Sequence, residues 1–277
     1  MKIGPHDLAV CSWSLNPSGM EDLVNGVREL GLSHVQLALA PLLFLDDKQK
    51  YRALGFLRNS GVTLTAAMIG FPGEDYATIP RIRATGGFLP DETWSLRRQL
   101  TIQAARLANE LDIKILTTHV GFIPQSNHAD YPKLLGRVAE VGAALGEQGV
   151  TLAMETGQET ASELLQFLND LPRHNVTVNF DPANMILYGS GNPIEAIRVL
   201  DRHIVHVHVK DAISSAQPGV EWGRTAAVGQ GEVDWAQFLL ALKEVGYIGP
   251  LAIEQESGKQ RLELVREAIK TLETVVE

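Results

Sequence analysis

The chain has 277 residues, a formal net charge of −9 and a mean hydropathy close to zero, a profile typical of soluble globular proteins. The length suits one α/β barrel and does not require a second domain. The acidic balance and the lack of a basic run argue against a nucleic-acid partner. The single cysteine, Cys11, excludes an internal disulfide and suits a reducing compartment.

The amino-terminal segment carries no apolar signal core. The longest apolar stretch, residues 37–45, is interrupted by Pro41 and is too short to cross a bilayer. We therefore expect a cytoplasmic protein with no membrane partner. The apolar run 41–45 is compatible with a pocket rim, with a contact in a homo-oligomer, or with burial under the second helix, and the sequence leaves these alternatives open.

Short apolar, β-branched runs alternate with longer amphipathic segments along the whole chain. Strands are predicted at residues 8–15, 34–40, 63–69, 115–121, 151–157, 176–182, 203–211 and 250–256. Helices are predicted at residues 20–30, 96–111, 132–147, 161–171, 193–200, 235–245 and 261–275. Gly31, Gly61 and Gly149 stand where a helix C-cap glycine is expected, just before a strand.

Eight strands that alternate with helices predict an α/β protein, a (β/α)8 TIM barrel, with a single domain over residues 1–277. The rival is an open doubly wound sheet, which would need a glycine-rich phosphate turn after an early strand, and residues 10–16 offer none. The long segment 70–90 follows the third strand and contains Phe71, Tyr76, Phe88 and several glycines. We interpret it as a loop that closes over a pocket.

Potential metal ligands stand near the carboxyl ends of the last four predicted strands, in order Glu155, Asp181, His208 and Glu254. Charges in buried strands are costly unless they are paired or bind a metal. Neighbouring barrel strands converge at the mouth, where active sites of such barrels are built. Three carboxylates and one imidazole suit one divalent ion, Mn²⁺, Mg²⁺, Co²⁺ or Zn²⁺.

Two histidines of the seventh predicted strand, His206 and His208, point the same way because strands have a period of two. His208 is nearer the mouth and is the better candidate ligand. His206 is expected to lie deeper, as a hydrogen-bonded partner or a core histidine.

Four motifs carry a resemblance to a known family. They are Met-Glu-Thr-Gly (154–157), Asn-Phe-Asp-Pro-Ala-Asn (179–184), His-Val-His-Val-Lys-Asp (206–211) and Pro-Leu-Ala-Ile-Glu (250–254). The chain resembles the xylose isomerase-like TIM-barrel superfamily, and within it the sugar-phosphate isomerase/epimerase branch. That branch also includes ketose 3-epimerases, inosose dehydratases and type IV endonucleases.

The resemblance implies that Glu155, Asp181, His208 and Glu254 are the metal ligands, and that the two glutamates are also the catalytic acid/base groups. Two positions depart from the family pattern. Asn184 stands where ketose epimerases tend to have a substrate-binding histidine, and Gln36 stands where many relatives carry an acid. The substrate is therefore left open.

Several further residues are candidates for substrate binding, each with a structural alternative. His119, at the end of the fourth predicted strand, is either a substrate contact or proton relay, or a satisfied structural histidine. Lys210 either holds an oxyanion or forms a salt bridge to Asp211 or Glu256. Trp13 either stacks on the apolar face of a sugar or packs in the core.

Arginines in the predicted mouth-side loops are Arg81, Arg83 and Arg224. Each is a candidate partner for a phosphate or carboxylate, and for each alone a solvated surface position is the favoured alternative. The sequence Gly229-Gln230-Gly231 is interpreted as a turn before a helix capped by Asp234, not as a phosphate loop.

The leading functional hypothesis is a divalent-metal-dependent isomerase or epimerase of a small sugar, sugar phosphate or related polyhydroxy carbonyl compound. Glutamates would remove and return a proton through a metal-stabilised enediolate. The alternative is a keto-inositol or keto-sugar dehydratase on the same site. An abasic-site endonuclease is disfavoured, because residues 39–40 and 68–69 offer no extra ligands. A non-catalytic sugar-binding barrel would require an empty metal site.

Overall fold

The structure is a computed structural model that describes residues 1–172, 175–256, 258 and 260–276. Its strands are β1 (Lys2–Ile3), β2 (His6–Cys11), β3 (His34–Ala38), β4 (Thr63–Met68), β5 (Ile115–Thr118), β6 (Thr151–Glu155), β7 (Val176–Phe180), β8 (Ile204–Val209), β9 (Asp211–Ile213), β10 (Arg224–Ala226) and β11 (Leu251–Ile253). Strands β2 to β8 and β11 pair in parallel with their neighbours, and β2 pairs with both β3 and β11, so the sheet closes.

Helices follow the barrel strands and cover the outside of the sheet. They are α1 (Met20–Glu29), α2 (Ala40–Leu43), α3 (Asp47–Asn59), α4 (Ile79–Thr85), α5 (Asp91–Glu110), α6 (Tyr131–Glu147), α7 (Ala161–Asp170), α8 (Pro182–Tyr188), α9 (Pro193–Leu200), α10 (Trp235–Glu244) and α11 (Arg261–Val276). In the described part of the chain, every helix is too short or too polar to span a membrane.

The predicted single (β/α)8 TIM barrel is confirmed, and each of the eight predicted strands overlaps a barrel strand. The differences lie in the connections. The prediction omitted the short strand β1, helices α2, α3, α4 and α8, and the hairpin of β9 and β10 that follows the seventh barrel strand. These additions matter for function, because α4, α8 and the hairpin all lie on the carboxyl side of barrel strands, where the predicted ligands are.

Local sequence signals explain where the helices begin and end. Gly31, Gly61 and Gly149 have φ values of 70°, 73° and 68°, a left-handed conformation that glycine adopts at little cost. Asp234 accepts a hydrogen bond from the backbone N–H of Gln237, so its predicted role as the cap of α10 is confirmed.

The apolar core lies mainly between the barrel and the surrounding helices, in one large cluster of buried side chains. Inside the barrel the side chains are smaller or polar. Ala9, Cys11 and Ala252 form a small apolar cluster, and the fully buried Gln36 and His206 lie among hydrogen-bonding partners. This barrel interior is therefore a polar network rather than stacked layers of large aliphatic side chains.

Two irregularities of register occur beside this polar network. The pairing of β3 with β4 shifts between Val35 and Gln36, and the pairing of β7 with β8 shifts between Val178 and Asn179. On β4 the shift leaves Thr65 outside the pairing, and its hydroxyl reaches His206 at 3.2 Å. Such bulges turn side chains in new directions, and here each one lies next to a residue that contacts a buried histidine.

Candidate metal centre and cavity

Glu155, Asp181, His208 and Glu254 meet at the carboxyl end of the barrel. Each offers one ligand atom, and these four atoms lie within 4.8 Å of one another. Glu155 is the last residue of β6, Asp181 and Glu254 directly follow β7 and β11, and His208 lies in β8. All four side chains are buried. The structure therefore brings together the four residues that the sequence predicted to share one site.

One atom of each of these residues has no hydrogen-bond partner in the described structure: Glu155 Oε2, Asp181 Oδ2, His208 Nδ1 and Glu254 Oε2. From His208 Nδ1, Asp181 Oδ2 is 3.6 Å away and Glu254 Oε2 is 3.2 Å away, and the nearest oxygen of Glu155, Oε1, is 3.4 Å away. Leaving so many buried polar atoms unpaired is costly. Three carboxylates and an imidazole Nδ1 form a donor set that fits a divalent cation, so the group could hold a metal ion.

The other oxygens of the three carboxylates are held by the protein. Asp181 Oδ1 accepts the backbone N–H groups of Ala183 and Asn184 at 2.8 and 3.0 Å, which makes Asp181 the N-cap of α8. Glu155 Oε1 accepts from Asn184 Nδ2 at 2.9 Å, and Glu254 Oε1 accepts from Trp13 Nε1 at 2.7 Å. Each carboxylate is thus oriented by one oxygen, while the other makes no hydrogen bond within the described residues.

Gln36 fixes the orientation of His208. The amide Nε2 of Gln36 donates to Thr117 Oγ1 at 2.9 Å, which places its carbonyl Oε1 2.6 Å from His208 Nε2. Because a carbonyl only accepts, Nε2 of His208 carries a proton, and Nδ1 is the nitrogen that faces the carboxylates. Burial alone would lower the pKa of His208, but the negative groups around it raise it well above its usual range. A cation bound here would take the place of the proton on Nδ1.

His206, one layer deeper, has partners on both ring nitrogens. Its Nδ1 lies 2.8 Å from Asn179 Oδ1, and its Nε2 lies 3.2 Å from Thr65 Oγ1. Burial lowers the pKa of His206 to about 3, so the ring is neutral at physiological pH. The predicted placement of His206 as the deeper, hydrogen-bonded histidine is confirmed.

Lys210 supplies the positive charge beside the carboxylates. Its Nζ is 2.7 Å from Glu256 Oε2, 3.0 Å from Glu254 Oε2 and 3.7 Å from Asp181 Oδ2. Burial alone would raise the pKa of Glu254, but the ammonium of Lys210 and the imidazole of His208 hold it at about 2. Of the two predicted salt-bridge partners of Lys210, Glu256 is the one that forms an ion pair with it.

The other predicted partner of Lys210, Asp211, has a different role. Its carboxylate accepts the backbone N–H groups of Gly229, Gly231 and Val233 at 2.9 to 3.1 Å. A β-carbon on Gly231 would lie only 2.0 Å from Asp211 Oδ1, so glycine is required there. The backbone N–H groups of the turn at residues 229–231 therefore bind the Asp211 carboxylate of the protein itself. This agrees with the prediction of a turn rather than a phosphate loop.

A cavity of about 740 Å³ opens above the four-residue group. Four predicted substrate-binding residues line it: Trp13, His119, Asn184 and Lys210. His119 Nε2 lies 3.7 Å from Glu155 Oε1, and its Nδ1 has no hydrogen-bond partner among the described residues. Asn184 joins two sides of the site, because its amide reaches both Glu155 and, at 3.3 Å, Lys210.

Arg224 was expected at the mouth but does not line the cavity. It lies in β10 with its side chain exposed. The other two candidate arginines are engaged elsewhere: Arg81 pairs with Asp75 at 3.0 Å, and Arg83 lies over the Phe122 ring at 4.3 Å. The assignment of Arg224 to substrate binding is therefore corrected, because the hairpin turns this side chain to the solvent.

The segment 70–90 is more ordered than a simple loop. It contains α4, and its end is fixed by the buried Arg97, which donates to the carbonyls of Thr85 and Gly87 at 2.6 and 2.5 Å. A β-carbon on Gly87 would lie 2.0 Å from the carbonyl of Val120, so this glycine serves close packing rather than hinge motion. Phe88 is fully buried away from the cavity, which corrects its assigned place in a cover.

Phe71 and Tyr76 of the same segment do line the cavity. Closure of the segment 70–90 over a ligand stays a prediction. In the run 41–45, Leu42 is buried whereas Phe44 is 71% exposed at the cavity rim. The run therefore contributes both to the core under the helices and to the rim.

Sequence reasoning missed the aromatic wall of the cavity. Tyr188 of α8 and Trp222 of the hairpin loop line it, with ring centroids 4.7 Å apart, and Phe122 contacts Tyr188 at 5.6 Å. Tyr188 stands at the end of the Asn-Phe-Asp-Pro-Ala-Asn region, but no local pattern marks Trp222. Only the tertiary fold of the hairpin brings it to the site.

Fold and site together define a (β/α)8 barrel with a buried carboxylate and histidine group at its carboxyl end. The chain belongs to the xylose isomerase-like TIM barrel family, whose sequence model matches residues 24–275. A solved structure of a xylose isomerase domain protein from Planctomyces limnophilus is 30% identical, with a TM-score of 0.88 over 98% of this chain and 96% of that one.

Two curated relatives are enzymes with named activities. L-ribulose 3-epimerase of Methylomonas sp. (strain DH-1) is 24% identical over 272 residues, 94% of this chain and 86% of the relative. Inosose dehydratase of Clostridium botulinum (strain Alaska E43 / Type E3) is 25% identical over 159 residues, 52% of this chain and 53% of the relative. The chain spans 62% and 41% of the lengths of two uncharacterised relatives. Related enzymes are thus epimerases and a dehydratase.

Proposed function

We propose that the protein is a divalent-metal-dependent isomerase or epimerase of a small polyhydroxy carbonyl compound, a sugar or a close derivative. The observation that carries this proposal is the group of four buried residues below an open cavity, each with one polar atom that makes no hydrogen bond within the described residues. Glu155, Asp181, His208 and Glu254 would hold Mn²⁺, Mg²⁺, Co²⁺ or Zn²⁺. The ion would supply positive charge that acidifies the C–H bond next to a carbonyl and stabilises the charge left by proton removal.

Glu155 and Glu254 are the proposed acid/base pair. They come from β6 and from the residue after β11, the two ends of the ligand arc, with Asp181 and His208 between them. A substrate in the cavity would have one glutamate on each side. Inversion at a carbon needs this arrangement, since the proton leaves from one face and returns to the other.

The environments of the two glutamates differ in a way that suits separate steps. Glu155 lies beside the rings of His119 and His208 and the amide of Asn184, and no ion pair joins it to a lysine or arginine within the described residues. Glu254 lies beside the Lys210 ammonium and the indole N–H of Trp13. We infer that Glu155 is the stronger base and removes the proton, while Glu254 and its cationic neighbour return one.

A dehydratase of a keto-inositol or keto-sugar is the second candidate. It begins with the same proton removal and then expels a β-hydroxyl group. The observation that favours it is Lys210, a buried ammonium lining the cavity, which can donate a proton to a departing hydroxyl. The likeness to inosose dehydratase supports the same alternative.

Two further classes are not supported by the site. A DNA-cleaving enzyme with several metals would need ligands after β3 and β4, where the chain has Leu39, Ala40, Met68 and Ile69. A non-catalytic sugar-binding barrel would not need three carboxylates around one imidazole. We further propose a cytoplasmic location and a small carbohydrate partner, in keeping with the sequence.

The test is a product screen by NMR in D₂O with the metal-loaded protein and a panel of ketoses, their phosphates and inososes. Epimerisation or isomerisation gives a new sugar that carries deuterium at the proton-transfer carbon. Dehydration gives an unsaturated or deoxy product and releases water. If no panel member exchanges a C–H proton or changes, the proposed function is wrong.

A further inference from the structure

The cavity above the four-residue group has a polar half and an apolar half. The polar half consists of residues in or after β5, β6, β7, β8 and β11, namely His119, Glu155, Asn184, Lys210, Glu254 and Glu256. The apolar half consists of residues in or after β2, β3 and β4, namely Trp13, Ala38, Ala40, Phe44, Met68 and Phe71. The metal ligands thus belong to one side of the cavity only.

The order of the strands places the two halves on opposite sides of the barrel mouth. The barrel closes in the order β2, β3, β4, β5, β6, β7, β8 and β11, so β3 and β4 lie opposite β7 and β8. Asp181 directly follows β7 and His208 lies in β8, whereas Ala38 and Met68 are the last residues of β3 and β4. A compound held at the four-residue group by its carbonyl end therefore has the apolar half opposite its other end.

The side of the cavity formed by β2, β3 and β4 has few partners for hydroxyl groups. Trp13 Nε1 already donates to Glu254 Oε1 at 2.7 Å. Both oxygens of Glu74 accept backbone N–H groups of the segment 70–90, at 2.9 and 3.3 Å. Among the described residues, Tyr76 is then the one side chain on this side whose hydrogen-bonding group has no partner in the protein. A chain of several hydroxyl groups would leave most of them unpaired here, which is costly.

The side chains of the apolar half have accessible surface for a ligand. Phe44 is 71% exposed, and the partly exposed members are Trp13, Ala38, Ala40 and Met68. The cavity of about 740 Å³ lies within the size range of cavities that hold ligands larger than one sugar ring. Covering apolar surface in a concave site is favourable, so this surface suits an apolar part of a ligand.

The charges of the site do not favour an anionic group in the apolar half. Glu155, Asp181 and Glu254 bring three negative charges, which a divalent ion and the ammonium of Lys210 would together balance. The described residues of the apolar half include no lysine, arginine or histidine. Phosphate and carboxylate groups are bound by such side chains or by several backbone N–H groups. An uncharged substituent is therefore the better match.

We propose that the substrate carries an aryl group at the end remote from its reacting carbonyl, and that this group binds in the apolar half. The carbonyl end lies at the four-residue group, and the aryl ring packs against Phe44, Met68 and the indole ring of Trp13. The inference rests on the proposed function, because it assumes a polyhydroxy carbonyl compound at the metal. A free sugar still binds and reacts at the metal, but more weakly than its aryl derivative.

The test measures binding by calorimetry to the Mn²⁺-loaded protein, so that it does not depend on turnover. The probes are a ketohexose and three derivatives at its terminal hydroxyl: the methyl ether, the benzyl ether and the phosphate ester. Phe44→Ser removes the exposed ring of the apolar half. Tyr51→Ser is the matched control, because Tyr51 is 78% exposed on α3 and does not line the cavity.

We expect the benzyl ether to bind the wild type about 10- to 100-fold more tightly than the methyl ether, which blocks the same hydroxyl without an aryl group. Phe44→Ser should weaken binding of the benzyl ether by about 3- to 10-fold and leave the ketohexose unchanged. Tyr51→Ser should change neither affinity. The phosphate ester should bind no tighter than the ketohexose, and metal content should be equal in all three proteins.

Proton exchange of the same probes in D₂O, followed by NMR, separates this inference from the proposed function. Equal affinity for the two ethers, tightest binding of the phosphate ester, or equal effects of Phe44→Ser and Tyr51→Ser would overturn the inference. Exchange or conversion of any probe would then leave the proposed function standing. Tighter binding of the benzyl ether that depends on Phe44, without exchange or conversion, supports the aryl site and overturns the proposed function. If no probe binds the metal-loaded wild type, both are overturned.

Discussion

The barrel interior has a deeper layer around His206 and a layer at the mouth around His208. The two layers differ in whether every ring nitrogen of the histidine has a hydrogen-bond partner. In the deeper layer, His206 has a partner on each ring nitrogen, Asn179 and Thr65. In the layer at the mouth, His208 has a partner on Nε2, while its Nδ1 faces three carboxylates without a hydrogen bond. Both histidines are fully buried and lie two residues apart on β8.

The difference shows that burial of a polar residue does not by itself mark a functional site. A complete set of hydrogen bonds makes a buried histidine a structural element, since nothing remains to bind a ligand. At the mouth, His208 Nδ1 is held in place without a hydrogen bond beside carboxylate oxygens that also lack one. Such a group of polar atoms needs a ligand from outside the chain, such as a cation. Replacements in the two layers should therefore have different effects.

The largest effect is expected from the glutamates of the mouth layer. Glu155→Gln and Glu254→Gln keep the side-chain size but remove the proton-accepting group, so turnover should fall by about 10²- to 10⁴-fold in each variant. Turnover is measured at saturating Mn²⁺ with metal occupancy confirmed by elemental analysis. One variant is expected to retain C–H exchange with D₂O, because only its return step is blocked. Full turnover in both variants with metal bound would make His119 or Lys210 the base to examine.

The next largest effect is a contrast between the two histidines in metal affinity. His208→Ala removes a ligand and should weaken Mn²⁺ binding by at least about 100-fold, whereas His206→Ala should weaken it by less than about tenfold. Calorimetric titration of chelator-treated protein measures both affinities. The reverse order would mean that the deeper histidine is the ligand and that the comparison of the two layers is wrong.

Gln36 orients His208 of the mouth layer, and its replacement should have an intermediate effect. Gln36→Met keeps the length of the side chain but removes the acceptor that holds His208 Nε2, so Mn²⁺ affinity should fall by about 10- to 100-fold. Gln158→Met is the matched control, since the Gln158 amide donates to Tyr188 Oη at 3.3 Å and not to a ligand residue. An equal effect of the two changes would argue against a specific role for Gln36.

The deeper layer should instead affect stability and its dependence on pH. His206 has a folded-state pKa of about 3, below the ordinary value of 6.5. As pH falls from 6.5 towards 3, the unfolded chain gains a proton that the folded protein does not accept, and stability should decline by up to about 1.4 kcal/mol per pH unit. Urea unfolding of metal-free wild type and His206→Ala measures this slope, which should be smaller in the variant.

Glu159 should change the stability with pH in the opposite direction to His206, so it serves as a control for the pH series. Burial raises the pKa of its carboxyl to about 8, so its contribution to stability is present at low pH and is lost as pH rises from 4.5 through 8. Glu159→Gln should therefore be relatively more stable than the wild type at pH 9 than at pH 5. An identical pH profile in the two proteins would show that this carboxyl titrates normally.

The fold could be predicted from the sequence because its signals are local and repeated. Alternating apolar runs and C-cap glycines such as Gly31 define the β/α unit, and a parallel barrel is the closed form of eight such units. Helix α3 was missed because its apolar side chains do not follow one face, with Tyr51 exposed and Leu54 buried. Helix α8 was missed because it is buried nearly all round and so lacks an amphipathic period.

The four candidate ligands could be predicted because a charged side chain at the end of a buried strand is costly unless it is paired or binds a metal. The cavity wall could not, since Trp222 and Arg224 lie in one hairpin whose path depends on packing against α8. Sequence position gave no means to decide which of these two side chains lines the cavity. The role of Gln36 likewise depends on a register shift beside it, which no local pattern indicates.

Glu155, Asp181, His208 and Glu254 should together form one metal site at the mouth of the barrel. Titration of chelator-treated wild-type protein with Mn²⁺, followed by calorimetry and by the shift in thermal unfolding, tests this most directly. We expect one ion bound per chain, a rise in the unfolding temperature, and loss of both effects in His208→Ala but not in His206→Ala. Absence of Mn²⁺, Mg²⁺, Co²⁺ and Zn²⁺ binding in the wild type, or identical binding in both variants, would contradict it.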